Sequence, residues 1–163
     1  MSREGDGTIP EGGPATPDAI RHAPGYLARR LHQAYTAAWA RRVDPVLTGP
    51  QYSVLVTVDA HPDLDQGSLA HTVALDRSTM ADVCRRLEDR GLIARTQAPA
   101  DGRRKLLGLT DDGREALARV HRRARELEQE LMSEHAIDVD QLLVHLDALS
   151  RRWETVASAG PSG

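Results

Sequence analysis

Apolar side chains return at intervals of three and four along most of this chain, and run together only in one short stretch near its middle. That period predicts a first helix over residues 26–43, with Leu27, Leu31, Ala34 and Ala38 on one face. A second helix buries Tyr52, Leu55, Val56 and Ala60, and a short third one holds Leu69, Ala70 and Val73. A fourth carries Met80, Val83, Cys84 and Leu87, and a long fifth carries Ala116, Leu117, Val120, Ala124, Leu127 and Leu131. The last runs through Leu142, Leu146, Leu149, Trp153 and Val156. Helix starts are signalled by Thr48, Asp65, Asp76 and Thr110, whose side-chain oxygens suit an N-cap, and by Asp138 with Gln141 three residues on, which resembles a capping box. Pro50 is tolerated in a first turn, His61-Pro62 ends the second helix, and Gly91 is a natural left-handed stop for the fourth. Residues 92–96 and 105–109 read as strands joined by a loop at 97–102.

Two short helices across a tight turn, then two strands around an Arg-rich loop, describe a winged helix-turn-helix, whose second helix and loop enter DNA grooves. The expected fold class is therefore mainly α with a small β-wing: a winged helix-turn-helix at 48–110 plus a helical dimerisation region. The first and last helices cannot bury their stripes inside so small a module, so residues 25–47 and 111–157 are expected to meet a second copy of the chain. Residues 1–24, rich in Gly and Pro, lack the apolar surface to order themselves and are expected to form a flexible arm, with a disordered tail at 158–163.

Composition sharpens this picture. At 163 residues one domain is expected, and with no Phe and 3% aromatics its core must be Leu, Val, Ala and Ile. Net charge is −3, yet residues 77–105 hold eight basic side chains against four acidic ones, a local basic patch on an acidic chain. Lys105 is the only lysine; Arg suits bidentate groove contacts, and a GC-rich genome accounts for the same bias. A single cysteine excludes an internal disulfide, and no apolar run reaches membrane-span length, so a cytoplasmic protein without membrane contact is expected. Cys84 lies on an apolar stripe and reads as a buried inert thiol rather than a redox sensor. The seven histidines show no metal-ligand spacing, and none accompanies a Ser or Asp at a triad spacing, so no metal, no cofactor and no enzymatic activity are expected.

The polar face of the fourth helix carries Ser78, Thr79, Asp82, Arg85 and Arg86, with Arg77 at its start. These are the candidate DNA contacts, base edges toward the N-terminus and phosphates at Arg85 or Arg86. Ordinary solvent exposure is the competing reading for each.

The segments 48–55 (TGPQYSVL), 75–79 (LDRST), 87–92 (LEDRGL), 101–105 (DGRRK) and 109–113 (LTDDG), in this order and spacing, resemble the MarR family of bacterial transcription regulators. The likeness covers residues 25–157. It implies a homodimer held by the first and last two helices, reading a pseudo-palindromic double-stranded DNA operator through consecutive major grooves, with wings in the minor grooves. It places Arg103 at the wing tip as a minor-groove arginine, held by Asp101 and followed by Arg104. It further implies a repressor released by a small aromatic carboxylate or phenol, with a likeness to hydroxybenzoate-sensing members around helix one. Arg29, with His32, Gln33, Tyr35 and Trp39, is the candidate effector site, since a carboxylate wants a guanidinium and an aromatic ring an apolar wall. Arg29 facing water is the plain alternative there, and a constitutive DNA-binding activator or architectural protein is the alternative for the whole chain.

Overall fold

Thr48, Asp65, Asp76, Thr110 and Asp138 each accept a backbone N–H two or three residues on, and a helix opens behind each of them. The computed structural model describes residues 16–62, 64–98, 101–133 and 138–159. Its elements are α1 (Asp18–Arg21), α2 (Pro24–Arg42), α3 (Gly49–Ala60), α4 (Gln66–Thr72), α5 (Arg77–Asp89), β1 (Ile93–Ala98), β2 (Asp101–Leu109), α6 (Asp111–Met132) and α7 (Val139–Ser158). At Thr48 the cap is reciprocal: Thr48 Oγ1 accepts the Gln51 N–H and Gln51 Oε1 accepts the Thr48 N–H at 3.0 Å. That pairing satisfies Gln51, the one polar side chain in the described core.

The core is aliphatic and closes around α3. Val54, Leu55 and Val58 of α3 are fully buried, with α4, α5, α6 and β2 packed against that helix. Met80, Val83, Cys84 and Leu87 are all buried, as their spacing predicts. Trp39 and Val43 at the end of α2, and Leu47 beyond it, complete the same core. The Trp39 indole Nε1 donates to the Leu47 carbonyl at 2.7 Å, so its polar atom is not left unpaired.

Several expectations move. Helix α1 and the first residue of α2 lie inside the expected arm, and helix one begins at that residue, Pro24, a proline well placed in a first turn. Residues 1–15 and 160–163 fall outside the described residues, while Ser158 closes α7. The strands are longer than the apolar pattern predicts: Gln97 pairs with Lys105 and Ala98 with Asp101, with a register shift between Gln97 and Ala98. A two-stranded ribbon pairs through its backbone and needs no apolar side chain, so the pattern is blind to its outer half. Ala60, at the end of α3, is exposed, and Val54 and Val58 take the burial instead because neighbours crowd that helix from several sides. Leu27, Leu31 and Ala34 of α2, Leu131 of α6 and Leu146, Leu149, Trp153 and Val156 of α7 are uncovered within the chain, with Leu142 half-buried. Val144 of α7 is 65% exposed, and that helix buries no residue at all.

Candidate nucleic-acid interface and effector cleft

Helix α5 is presented by its two ends. Asp76 holds its head, and Gly91, with φ +68, turns the chain at its tail, where the Gly91 N–H donates to the Glu88 carbonyl and the Leu92 N–H to the Leu87 carbonyl. The turn from α4 into α5 passes through Ala74, whose φ of +54 is left-handed for a residue with a Cβ. Arg77, Ser78, Thr79, Arg85 and Arg86 stand exposed and Asp82 half-buried, so each expected contact residue of α5 reaches the surface.

The polar groups on that face are not idle. The Ser78 and Thr79 hydroxyls both donate to the Asp76 carboxylate, and so do the two backbone N–H groups. Those hydrogen bonds, Ser78 foremost, hold the Asp76 carboxyl far below the usual carboxylate range. Further along, Arg85 Nη2 donates to Asp82 Oδ1, and Arg86 Nε sits 2.7 Å from Asp82 Oδ2. Arg85 Nη1 also reaches Asp89 Oδ2 at 3.5 Å. The Arg85 hydrogen bond, then the charge of Arg86, keeps the Asp82 carboxyl ionised below its ordinary range.

The wing is fastened to this helix. Arg95 of β1 donates through Nε and Nη2 to the two oxygens of Glu88, a bidentate bridge at 2.5 and 3.1 Å. Thr110 donates from its backbone N–H to the Leu92 carbonyl and from its hydroxyl to the Gly91 carbonyl, locking β2 to the strand's root. At Gly113 a Cβ would lie 1.9 Å from the Leu92 carbonyl oxygen, so that glycine is required by close approach. Asp101, Arg103 and Arg104 belong to β2 by their backbone. The expected Asp101–Arg103 pair rests on side chains outside the described residues.

Beneath the helix-turn-helix lies a cleft of about 540 Å³. Tyr52 and Val56 of α3, Val73 and Ala74 after α4, and His121 and Arg125 of α6 stand around it. Tyr52 Oη and His121 Nδ1 share a hydrogen bond of 2.8 Å. Behind Tyr52 tilted rings pack inward, Trp39 at 5.2 Å between centroids and Tyr35 a further 6.0 Å from Trp39. Burial, and next the charge of Glu128, push both tyrosine hydroxyls above their ordinary pKa. Of the expected effector residues, Tyr35 and Trp39 thus back the cleft, whereas Arg29, His32 and Gln33 stand exposed on α2 and do not line it within one chain. Sequence reasoning passed over Tyr52 as a core residue and His121 as a scattered histidine. The signal was present: His121, Arg125 and Glu128 share a face of α6 at spacings of four and three. Cys84 is wholly buried, and burial pushes its thiol up to about 11.

A sequence profile of the MarR family matches residues 47–105. Transcriptional regulator HosA of Escherichia coli is 30% identical over 128 residues, 78% of this chain and 94% of that protein. The chain belongs to the MarR family. Solved structures agree with that assignment. The PcaV transcriptional regulator of Streptomyces coelicolor, in complex with its natural ligand, is 39% identical over 87% of this chain and 99% of its own, with a TM-score of 0.75. The transcriptional repressor CouR, bound to a 23-mer DNA duplex, is 31% identical over 89% of this chain and 99% of its own, with a TM-score of 0.63. As a MarR-family transcriptional regulator the chain carries a DNA-binding winged helix, formed here by α3, α4, α5 and the β1–β2 ribbon.

Proposed function

We propose that this MarR-family regulator is a repressor that binds a pseudo-palindromic operator as a homodimer and lets go when a small aromatic acid occupies the cleft. The observation that carries the reading is the cleft's position: one wall is Thr72, Val73 and Ala74, the segment leading directly into Asp76 and α5. A ligand wedged between that segment and α6 acts on the pose of the recognition helix, shifting the population toward a form whose two helices no longer match a spacing of about 34 Å. Arg125 offers a guanidinium to a carboxylate, and Tyr52 with His121 offers hydrogen bonds to a phenol. Arg29, with His32 and Gln33 nearby on α2, is the second guanidinium available for that role. The uncovered stripes of α2 and α7 support the dimer, since a contiguous apolar face of that length is rarely left to water. On the DNA, Arg77, Ser78, Thr79, Asp82, Arg85 and Arg86 would face a major groove, while Asp101, Arg103 and Arg104 would reach the minor groove. The ligand complex of PcaV and the DNA complex of the repressor CouR are consistent with both halves.

The test is fluorescence anisotropy with DNA flanking the protein's own gene, with and without protocatechuate or 4-hydroxybenzoate. The expected result is tight, salt-dependent binding that an aromatic acid weakens by about tenfold, within the usual range of allosteric coupling. Arg125→Ala and Arg29→Ala, tested separately, then show which guanidinium holds the carboxylate. Tight binding indifferent to every aromatic acid would instead establish the constitutive DNA-binding alternative.

A further inference from the structure

The recognition helix is electrically neutral. Residues 77–89 hold Arg77, Arg85 and Arg86 against Asp82, Glu88 and Asp89, so the basic surplus of the segment lies outside α5. Asp82 is the centre of that neutrality, with one carboxylate oxygen on Arg85 and the other on Arg86. All three side chains are substantially exposed, and exposed pairs at helical spacing add little to folding. A carboxylate on a face turned toward phosphates is also repelled by them. Stability and bulk attraction to DNA therefore both leave Asp82 unexplained.

We infer that Asp82 is a specificity determinant that withholds Arg85 and Arg86 from DNA until it finds a cytosine amino group in the major groove. In the free protein both guanidinium groups are spent on Asp82, and Arg85 is shared with Asp89. Over a matching site the cytosine N4 amino group donates to Asp82, the pairing a carboxylate makes in that groove. Asp82 then has a partner of its own, and Arg85 and Arg86 turn to phosphates. Over guanine O6 or thymine O4 the carboxylate meets an acceptor, so freeing the arginines strands an unpaired charge. The device is a penalty on wrong sequences rather than a bonus for the right one. It rests on the reading that α5 docks in the major groove.

The test starts from a duplex enriched out of a random library by the wild-type protein, compared with a scrambled duplex of the same composition over a range of salt. Asp82→Asn keeps the shape and removes the charge. The expected result is scrambled-duplex binding about tenfold tighter, a salt dependence steeper by about one to two units as Arg85 and Arg86 reach phosphates of any sequence, and an enriched library whose cytosine becomes adenine. Asp89→Asn, which removes only the outer partner of Arg85, leaves the base preference unchanged and controls for general loss of negative charge. An Asp82→Asn protein with wild-type preference and salt slope would overturn the inference alone. A wild-type protein that enriches no sequence would remove the groove-docking reading, and the inference with it.

Discussion

Helices α5 and α7 carry the same kind of apolar stripe, yet the chain closes over one and leaves the other bare. Met80, Val83, Cys84 and Leu87 of α5 are buried against neighbours from the same chain, whereas Leu146, Leu149, Trp153 and Val156 of α7 remain exposed. Periodicity reports that a face needs cover; it is silent about who provides it. The winged module shares one core with the end of α2 and most of α6, and its caps are satisfied, so its architecture is settled within one chain. Helix α7 and the exposed stripe of α2 are settled only by something beyond it, and a second copy is the occupant we propose. The two regions should accordingly fail in different ways.

The largest effect is expected on the open side. Leu146→Asp places a charge in the middle of the α7 stripe, and a two-fold interface suffers it twice. The dimer should weaken by about 3 to 5 kcal/mol, well over a hundredfold in dissociation constant, while the far-ultraviolet spectrum keeps its helical signal. Sedimentation equilibrium reads the change directly. A variant still dimeric at the wild-type concentration would show that α7 is covered by something else.

On the closed side the sharpest probe is Gly113. A methyl group there meets the Leu92 carbonyl oxygen at 1.9 Å, and that oxygen also accepts the Thr110 N–H that fixes the wing's root. Backbone must move, so Gly113→Ala should lower stability by about 2 to 4 kcal/mol in urea unfolding. It should also loosen the wing without changing the assembly of whatever protein remains folded. A loss below about 0.5 kcal/mol would mean that the root yields easily.

How much of this was legible beforehand follows the same division. The caps at Thr48, Asp65, Asp76 and Thr110 and the stop at Gly91 are local chemistry, and each was readable from a few adjacent residues. The stripe of α5 was readable from its helical period alone, as was that of α7. The outer wing was not, since Gln97 and Ala98 pair through backbone atoms that carry no side-chain signature. The cleft was the hardest, because it joins Tyr52 to His121 across 69 positions. Arg125 enters only once α6 is laid against α3. The exposed contact face of α5 could be foreseen, but its ion pairs could not: spacing allows Asp82 to meet Arg85 and Arg86, and only geometry shows it meeting both.

A smaller effect separates buried from reactive chemistry in α5. Cys84 is fully enclosed, with its thiol pushed up to about 11 from an ordinary value of 9.0. A thiol whose folded pKa is raised favours the folded state below the unfolded value, and loses that advantage as pH climbs through the folded one. Cys84→Ala should therefore cost about 1 to 2 kcal/mol at neutral pH, the price of a small void. The gap from wild type should narrow between pH 9 and 11, since alanine has nothing to titrate. At neutral pH the folded protein should resist a thiol-modifying reagent and peroxide alike, with reaction appearing only on unfolding. Rapid modification of the native protein would contradict the packing and reopen the thiol as a sensor.

The smallest expected change lies at the joint between the two behaviours. Ala74 adopts φ +54 in the turn between α4 and α5, and its Cβ costs about 1 kcal/mol in that left-handed conformation. Glycine removes the cost but brings extra freedom to the unfolded chain, about 0.4 to 1 kcal/mol in the opposite direction. Ala74→Gly should thus change stability by no more than about 0.5 kcal/mol, measured by urea unfolding. Its informative readout is elsewhere, because Ala74 also walls the cleft. If the turn transmits ligand occupancy to α5, a freer backbone there should dissipate the signal. DNA affinity would then hold while its response to an aromatic acid shrinks severalfold. An unaltered response would place the coupling in α6 rather than in the turn, leaving Arg125 and His121 as the residues that carry it.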